Sequence, residues 1–184
     1  MSGFIGEFFG TLVLIVLGTG CGAAINLQKS YAKGASWLYV TIAWGMAVTF
    51  GVYVAASLGS QGHLNPAVTI GFASFGFFPW SEVGPYLLGQ FLGAFVGAAL
   101  VAIQFYPHFK ATKTSEAGNN VGIFATAPAI KNNLFNFLSE TIATFIFVFA
   151  LLNLGDFDKG LKPIAVGLLI MVVGQALGGT TGFA

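Results

Sequence analysis

Apolar residues run along this chain in five long blocks separated by short polar breaks, covering roughly 3–27, 36–58, 83–106, 133–152 and 163–180. A helix needs ~20 apolar residues to cross a hydrocarbon core of ~30 Å, so each block predicts one membrane span. The second, third and fifth blocks carry no charge; the first holds Glu7 and the fourth Glu140. A sixth apolar stretch breaks the pattern. Residue 58 is followed by Gly59-Ser60-Gln61-Gly62-His63-Leu64-Asn65-Pro66 and then by an apolar run over 67–78. About 12 residues make ~18 Å of helix at 1.5 Å per residue, near half of what a span requires. Such a stretch can enter a membrane and stop at mid-depth, provided its irregular lead-in is buried in protein or lines a cavity.

Composition agrees with this reading. The 184 residues are 56% hydrophobic and 7% charged, with a mean hydropathy of +0.84, whereas soluble domains carry about 25% charged residues. The expected fold is therefore an all-α integral membrane bundle forming one domain over 1–184, and its solvent is the lipid bilayer. Seven lysines, no arginine and a net charge of +1 offer no groove for nucleic acid. Cys21 stands alone, which excludes an internal disulfide and a multi-cysteine metal site; it is expected to pack as a small apolar residue. The start, Met1-Ser2-Gly3-Phe4, lacks a basic leader and reads as a retained first span.

Many of the 26 glycines recur at a helical step, as in Gly6-x-x-x-Gly10, Gly18-x-x-x-Gly22, Gly89-x-x-x-Gly93-x-x-x-Gly97 and Gly174-x-x-x-Gly178. Such rows let helices approach closely in lipid and are read as packing surfaces. The long connection 107–132 is expected to be a loop.

The chemistry concentrates at Asn65-Pro66-Ala67. Proline suits a first helical position because its missing N–H would be unpaired there, and Asn65 then occupies the N-cap. Its side-chain oxygen accepts a backbone N–H, leaving the amide donors pointing outward at the positive end of the helix dipole. At the centre of a pore that arrangement favours hydroxyl and water oxygens over cations and protons. The lead-in Ser60 to Leu64, with Gly62 inside it, would be extended backbone whose carbonyls take donors from a file of permeating molecules. His63 has two readings, a buried packing residue or a ring that also borders the pore. It is no metal ligand, since the other histidine, His108, falls in a loop.

A carboxylate inside a span is a functional candidate by default. Glu7 reads either as a first-turn residue at the interface or as part of a repeat. Gly6-Glu7-Phe8-Phe9-Gly10-Thr11 and Ser139-Glu140-Thr141-Ile142-Ala143-Thr144 share small, Glu, two residues, small, Thr. Three spans separate the copies, so the second is inverted, and inverted repeats place a central site at their interface. The repeats are 1–106 and an incomplete 133–184. Each glutamate is expected to accept N–H groups from the re-entrant backbone of its own repeat.

Gly62-His63-Leu64-Asn65-Pro66-Ala67-Val68-Thr69 resembles the first signature motif of the aquaporin and glycerol facilitator family, the major intrinsic proteins. The resemblance covers the whole chain and is strongest to bacterial glycerol facilitators. It implies an inverted-repeat bundle with re-entrant half-helices, of which this chain holds five spans and one half-helix, and a homotetramer with one pore per subunit. It assigns Glu7 and Glu140 to the family's buried glutamates, and Trp44, Gly174 and Phe183 to the selectivity filter of the facilitators; the other reading of Trp44 is a core or interface aromatic. The family's second Asn-Pro-Ala, an arginine just after it and a sixth span would follow Ala184, so these 184 residues alone are not expected to conduct. Ser60-Gln61-Gly62 departs from the family's commoner Ser-Gly-Ala.

The implied activity is passive diffusion of glycerol, water and similar small neutral solutes, with ions and protons excluded, in a bacterial plasma membrane, with no cofactor and no enzymatic chemistry. With both termini cytoplasmic, as the family implies, Lys29, Lys33, Lys110, Lys113 and Lys131 lie outside against Lys159 and Lys162 inside, counter to the positive-inside tendency. A secondary transporter also uses inverted repeats and is the first alternative; an intramembrane enzyme lacks any Ser–Lys or His-Glu-x-x-His arrangement; a water-selective channel is the third.

Overall fold

A computed structural model describes residues 2–112, 120–155 and 160–182. Regular structure among them is helical throughout: α1 (Ser2–Asn26), α2 (Trp37–Ser57), α3 (Pro66–Ser74), α4 (Trp80–Gln104), α5 (Tyr106–Ala111), a 3-10 turn (Asn120–Ile123), α6 (Asn133–Leu152) and α7 (Lys162–Ala176). Helices α1, α2, α4 and α6 are long and apolar enough to cross a membrane.

Several boundaries differ from the apolar blocks, each for a local reason. Helix α7 has 15 residues, ~22 Å, and stops before the block's end at 180. The N–H groups of Leu177 and Gly178 both turn back onto Val173 O, at 2.8 and 3.2 Å, which closes the last turn. Helix α3 has nine residues, ~14 Å, although the apolar run continues to Phe78. It ends in a Schellman turn: Phe77 N donates to Phe72 O (2.8 Å), Gly76 N donates to Ala73 O (3.2 Å), and Gly76 has φ +78. Phe78 then folds back into the core against Ala73, Val83 and Tyr86. Helix α4 starts at Trp80, three residues early, with Glu82 in its first turn, where the helix dipole favours a carboxylate. The connection 107–132, expected as a loop, instead holds most of α5 and the 3-10 turn. Ile123 of that turn is buried against Ala23, Leu27 and Val101, so the turn is anchored across the ends of α1 and α4.

Helix α1 lies between α2 and α4; α3 packs on α4, α7 on the other side of α2, and α6 leans on α7 as the least buried of the long helices. The seams are built from glycine. A Cβ at Gly89 would lie 2.6 Å from Phe4 O, one at Gly97 would lie 3.0 Å from Leu12 O, and one at Gly93 would collide with Phe8 O. Thus the row on α4 meets the main chain of α1 directly. Gly10 and Gly51 play the same part between α1 and α2, and Gly45 and Gly167 between α2 and α7. The predicted pair Gly18 and Gly22 divides its work: Gly18 abuts the Trp44 ring and Gly22 faces Ile123.

Backbone cannot move aside as a side chain can. Gly93→Val is therefore expected to destabilise the protein by about 1–3 kcal/mol through overpacking, seen as a lower unfolding temperature in detergent. Gly84→Ala on the same helix, with no atom within 4 Å of the added Cβ, should leave that temperature unchanged or slightly raised.

Candidate functional site

The local chemistry of Asn65-Pro66 sets the start of α3. Asn65 is extended (φ −153, ψ 121), its Oδ1 accepts from Ala67 N at 2.8 Å, and Pro66 holds the first helical position. The start lies at mid-height in the bundle. Leu64 packs against Leu14, Val52 and Ala55, and Leu14 is the middle residue of α1. One turn into α3, Val68 packs on Phe147 of α6 and Val173 of α7.

The lead-in is contorted. Gly62 has φ +69 and Leu64 φ +50; a left-handed conformation at leucine costs ~1–2 kcal/mol and persists only if the surroundings enforce it. Glu7 supplies the enforcement. It is fully buried, and its carboxylate accepts four hydrogen bonds: on Oε1 from Ser60 Oγ (2.5 Å) and His63 N (2.9 Å), on Oε2 from Leu64 N (2.8 Å) and Gln90 Nε2 (2.7 Å). A buried carboxylate is tolerated only when its lone pairs are so satisfied. The interfacial reading of Glu7 does not apply, because the side chain has no solvent contact.

The His63 ring stands within 4.7–5.1 Å of the rings of Phe78, Tyr86 and Phe72, and its Nδ1 lies 3.1 Å from Thr69 Oγ1. Tyr86 also accepts from Gln61 N through its hydroxyl, at 3.1 Å. Sequence reasoning missed Ser60, Thr69, Tyr86 and Gln90. Gln90 had a visible signal, an amide beside Gly89 in the middle of an uncharged span.

A cavity of about 690 Å³ opens beside this segment. Residues 61–65 form one side, and the apolar side includes Leu14, Trp44, Val48, Phe147 and Ile170. Among the described residues Lys162 is its single charged lining residue. Among the described residues the carbonyls of 61–64 accept no hydrogen bond and Asn65 Nδ2 has no acceptor. The site is thus a strip of spare acceptors ending in a spare amide donor, opposite an apolar wall.

The other candidates are more scattered. Trp44 is half-buried, lines the cavity and packs on the Leu14–Leu64 cluster; a Cβ at Gly18 would fall 2.6 Å from its ring. Gly174 is buried away from the cavity lining, and its carbonyl accepts from Trp37 Nε1 at 3.0 Å. Phe183 lies outside the described residues. Glu140 is half-buried on α6 and, unlike Glu7, accepts no hydrogen bond among the described residues. The expected pairing with a re-entrant backbone of its own repeat is therefore not seen: the 184 residues contain a single Asn-Pro-Ala. No three His, Cys, Asp or Glu side chains among the described residues could hold a metal ion.

Comparison with known proteins gives a consistent result. The sequence pattern described as Major intrinsic protein matches residues 1–184. The chain is 68% identical over 184 residues to glycerol uptake facilitator protein 2 of Lactiplantibacillus plantarum, covering 100% of this chain and 78% of that protein. It is 47% identical over 186 residues to the glycerol uptake facilitator protein of Streptococcus pneumoniae, with the same coverage of each. The X-ray structure of the aquaglyceroporin from Plasmodium falciparum superposes with a TM-score of 0.85 at 33% identity, covering 99% of this chain and 74% of that one.

Removing the carboxylate should loosen the whole segment. Glu7→Leu strands four buried donors, each worth ~1–3 kcal/mol when unpaired, and is expected to prevent recovery of folded protein from detergent extracts. Glu7→Gln keeps one acceptor oxygen and should fold with a lowered unfolding temperature and faster amide exchange at His63 and Leu64.

Proposed function

This chain belongs to the major intrinsic protein family, and from that premise we propose that its cavity is part of a membrane pore for passive diffusion of glycerol, water and similar small neutral solutes. The observation that carries the proposal is the two-sided cavity at mid-height. A polyol has hydroxyls along one edge and carbon-bound hydrogens along the other. The free carbonyls of 61–64 suit its hydroxyl protons, Asn65 Nδ2 suits a hydroxyl oxygen, and Trp44, Val48 and Phe147 suit its carbon side. Water satisfies the same strip. A cation entering would lose hydration and meet the amide donors of Asn65, the positive end of the α3 dipole and, at one mouth, Lys162.

Trp44 acts as the aromatic wall of the selectivity filter in this proposal. The parts of Gly174 and Phe183 as filter partners rest on the family resemblance. Glu7 supports the re-entrant loop of the first repeat, 1–106, and Glu140 has the equivalent task in the second, 133–184. His63, packed by its ring, contributes its carbonyl to the strip. The assembly is a homotetramer in a bacterial plasma membrane, by the same resemblance.

The test is stopped-flow light scattering on vesicles carrying the full-length protein. Glycerol entry should rise well above protein-free vesicles, scale linearly with concentration, and ignore sodium and proton gradients. Saturation with gradient dependence would point to a secondary transporter; water flux without glycerol flux, to a water-selective channel.

A second variant addresses the wall. Gly18→Ala pushes a methyl against the Trp44 ring and moves the indole toward the cavity. Glycerol permeability should fall by more than water permeability does. Equal loss of both would remove Trp44 from the filter.

A further inference from the structure

Beyond the four bonds of Glu7 lies a directional chain of hydrogen bonds that ends on the residues facing the cavity. Gln90 is buried on α4. Its Nε2 donates to Glu7 Oε2 at 2.7 Å and to Thr69 Oγ1 at 2.9 Å. A carboxylate accepts only, so Glu7 compels the nitrogen of the amide, and not its oxygen, to face inward. The second proton of that nitrogen then falls on Thr69, making the hydroxyl an acceptor there.

Thr69 is fully buried in the first turn of α3. Its Oγ1 also lies 3.2 Å from Asn65 O and 3.1 Å from His63 Nδ1. A backbone carbonyl accepts only, so the one hydroxyl proton goes to Asn65 O. The remaining lone pair leaves His63 Nδ1 as the donor, which fixes the imidazole as its Nδ1–H tautomer. Each assignment follows from the one before, starting at Glu7.

We propose that Gln90 is a positioning residue that carries the orientation imposed by Glu7 across to Thr69, and through it holds Asn65 and His63 in place beside the cavity. The role deepens the reading of the cavity as a solute pore and rests on it for its effect on flux. Gln90 is the only donor to Glu7 from α4; the other three come from the lead-in itself. It therefore joins three elements, α1, α3 and α4, at one amide. Tyr86, one turn earlier on α4, holds Gln61 N, so both contacts come from one face of that helix.

The experiment compares full-length parent, Gln90→Met, Thr69→Val and Thr69→Ser in vesicles. The readouts are glycerol and water permeability per folded channel and the site-assigned 15N chemical shifts of His63. Gln90→Met keeps the volume and removes the donors. It should lower glycerol permeability roughly tenfold, the effect of losing one charge-assisted hydrogen bond, change the glycerol-to-water ratio, and mix the His63 tautomers. Thr69→Val should do the same, and Thr69→Ser, which keeps the hydroxyl, should restore the parental tautomer and most of the flux. If Gln90→Met does not fold, the Thr69 pair alone decides. Parental flux ratio and a parental tautomer in Thr69→Val, or in a folded Gln90→Met, would overturn the role. A parent that conducts no glycerol would instead overturn the pore reading, while the His63 shifts would still judge Gln90.

Discussion

The carboxylate of Glu7 has no route to solvent and must find every hydrogen bond inside the bundle. It finds them on the irregular segment before α3 and on one amide of α4. Extended and left-handed backbone at mid-height cannot satisfy its own N–H groups, and unpaired groups in a low-dielectric interior are expensive. Each side of this arrangement answers the other's requirement. The carboxylate needs donors, the segment needs an acceptor, and the left-handed Leu64 is held where it would otherwise relax. Pairing the N–H groups of His63 and Leu64 on Glu7 has a further effect. Among the described residues the carbonyls of 61–64 are left without partners, and that is the strip the cavity presents to a solute.

The glycine seams serve the same end by different means. For Glu7 to reach the segment, α1 must lie close to both α2 and α4. Side chains at Gly89, Gly93 or Gly97 would hold α4 away and carry Gln90 out of range. Glycine is unhelpful for helix stability in water, but a helix in lipid already has its backbone bonds satisfied, and close packing is what remains to be gained. The large residues are thereby displaced outward to face lipid and inward to face the cavity.

Much of this could be read from the chain, and the part that could not has a common cause. Block length located the four long helices, the Asn-Pro pair located the start of α3, and the unusual presence of Glu7 in a span marked it for attention. Each is a local property of sequence. The end of α3 is not legible in the sequence because apolar character alone cannot distinguish a helical phenylalanine from Phe78, which returns to the core through a Schellman turn. Helix α4 begins three residues before its apolar block because a first turn tolerates Glu82 well, which apolar character alone does not reveal. Ser60, Thr69 and Gln90 were invisible as a set because they are 53, 21 and 83 residues from their partners, and no periodicity links such distances. That Glu7 accepts four hydrogen bonds and Glu140 none among the described residues could not be read from their matching surroundings either, since it depends on which backbone lies beside each.

The contact of Gly45 with Gly167 bears on how the bore responds to its environment. Here α2 and α7 touch main chain to main chain, and both helices contribute to the cavity wall, through Trp44, Val48 and Val52 on one and Val166 and Ile170 on the other. Thr49 and Met171 bring side chains to this junction, and so close an approach leaves little free volume to compress. The spacing of these two helices is therefore held by main-chain contact, with Thr49 and Met171 beside it, and hydrostatic pressure finds little slack there to act on. Substitutions at Trp44, Val48 or Ile170 would then change what the wall presents while the contact that spaces the two helices stays in place.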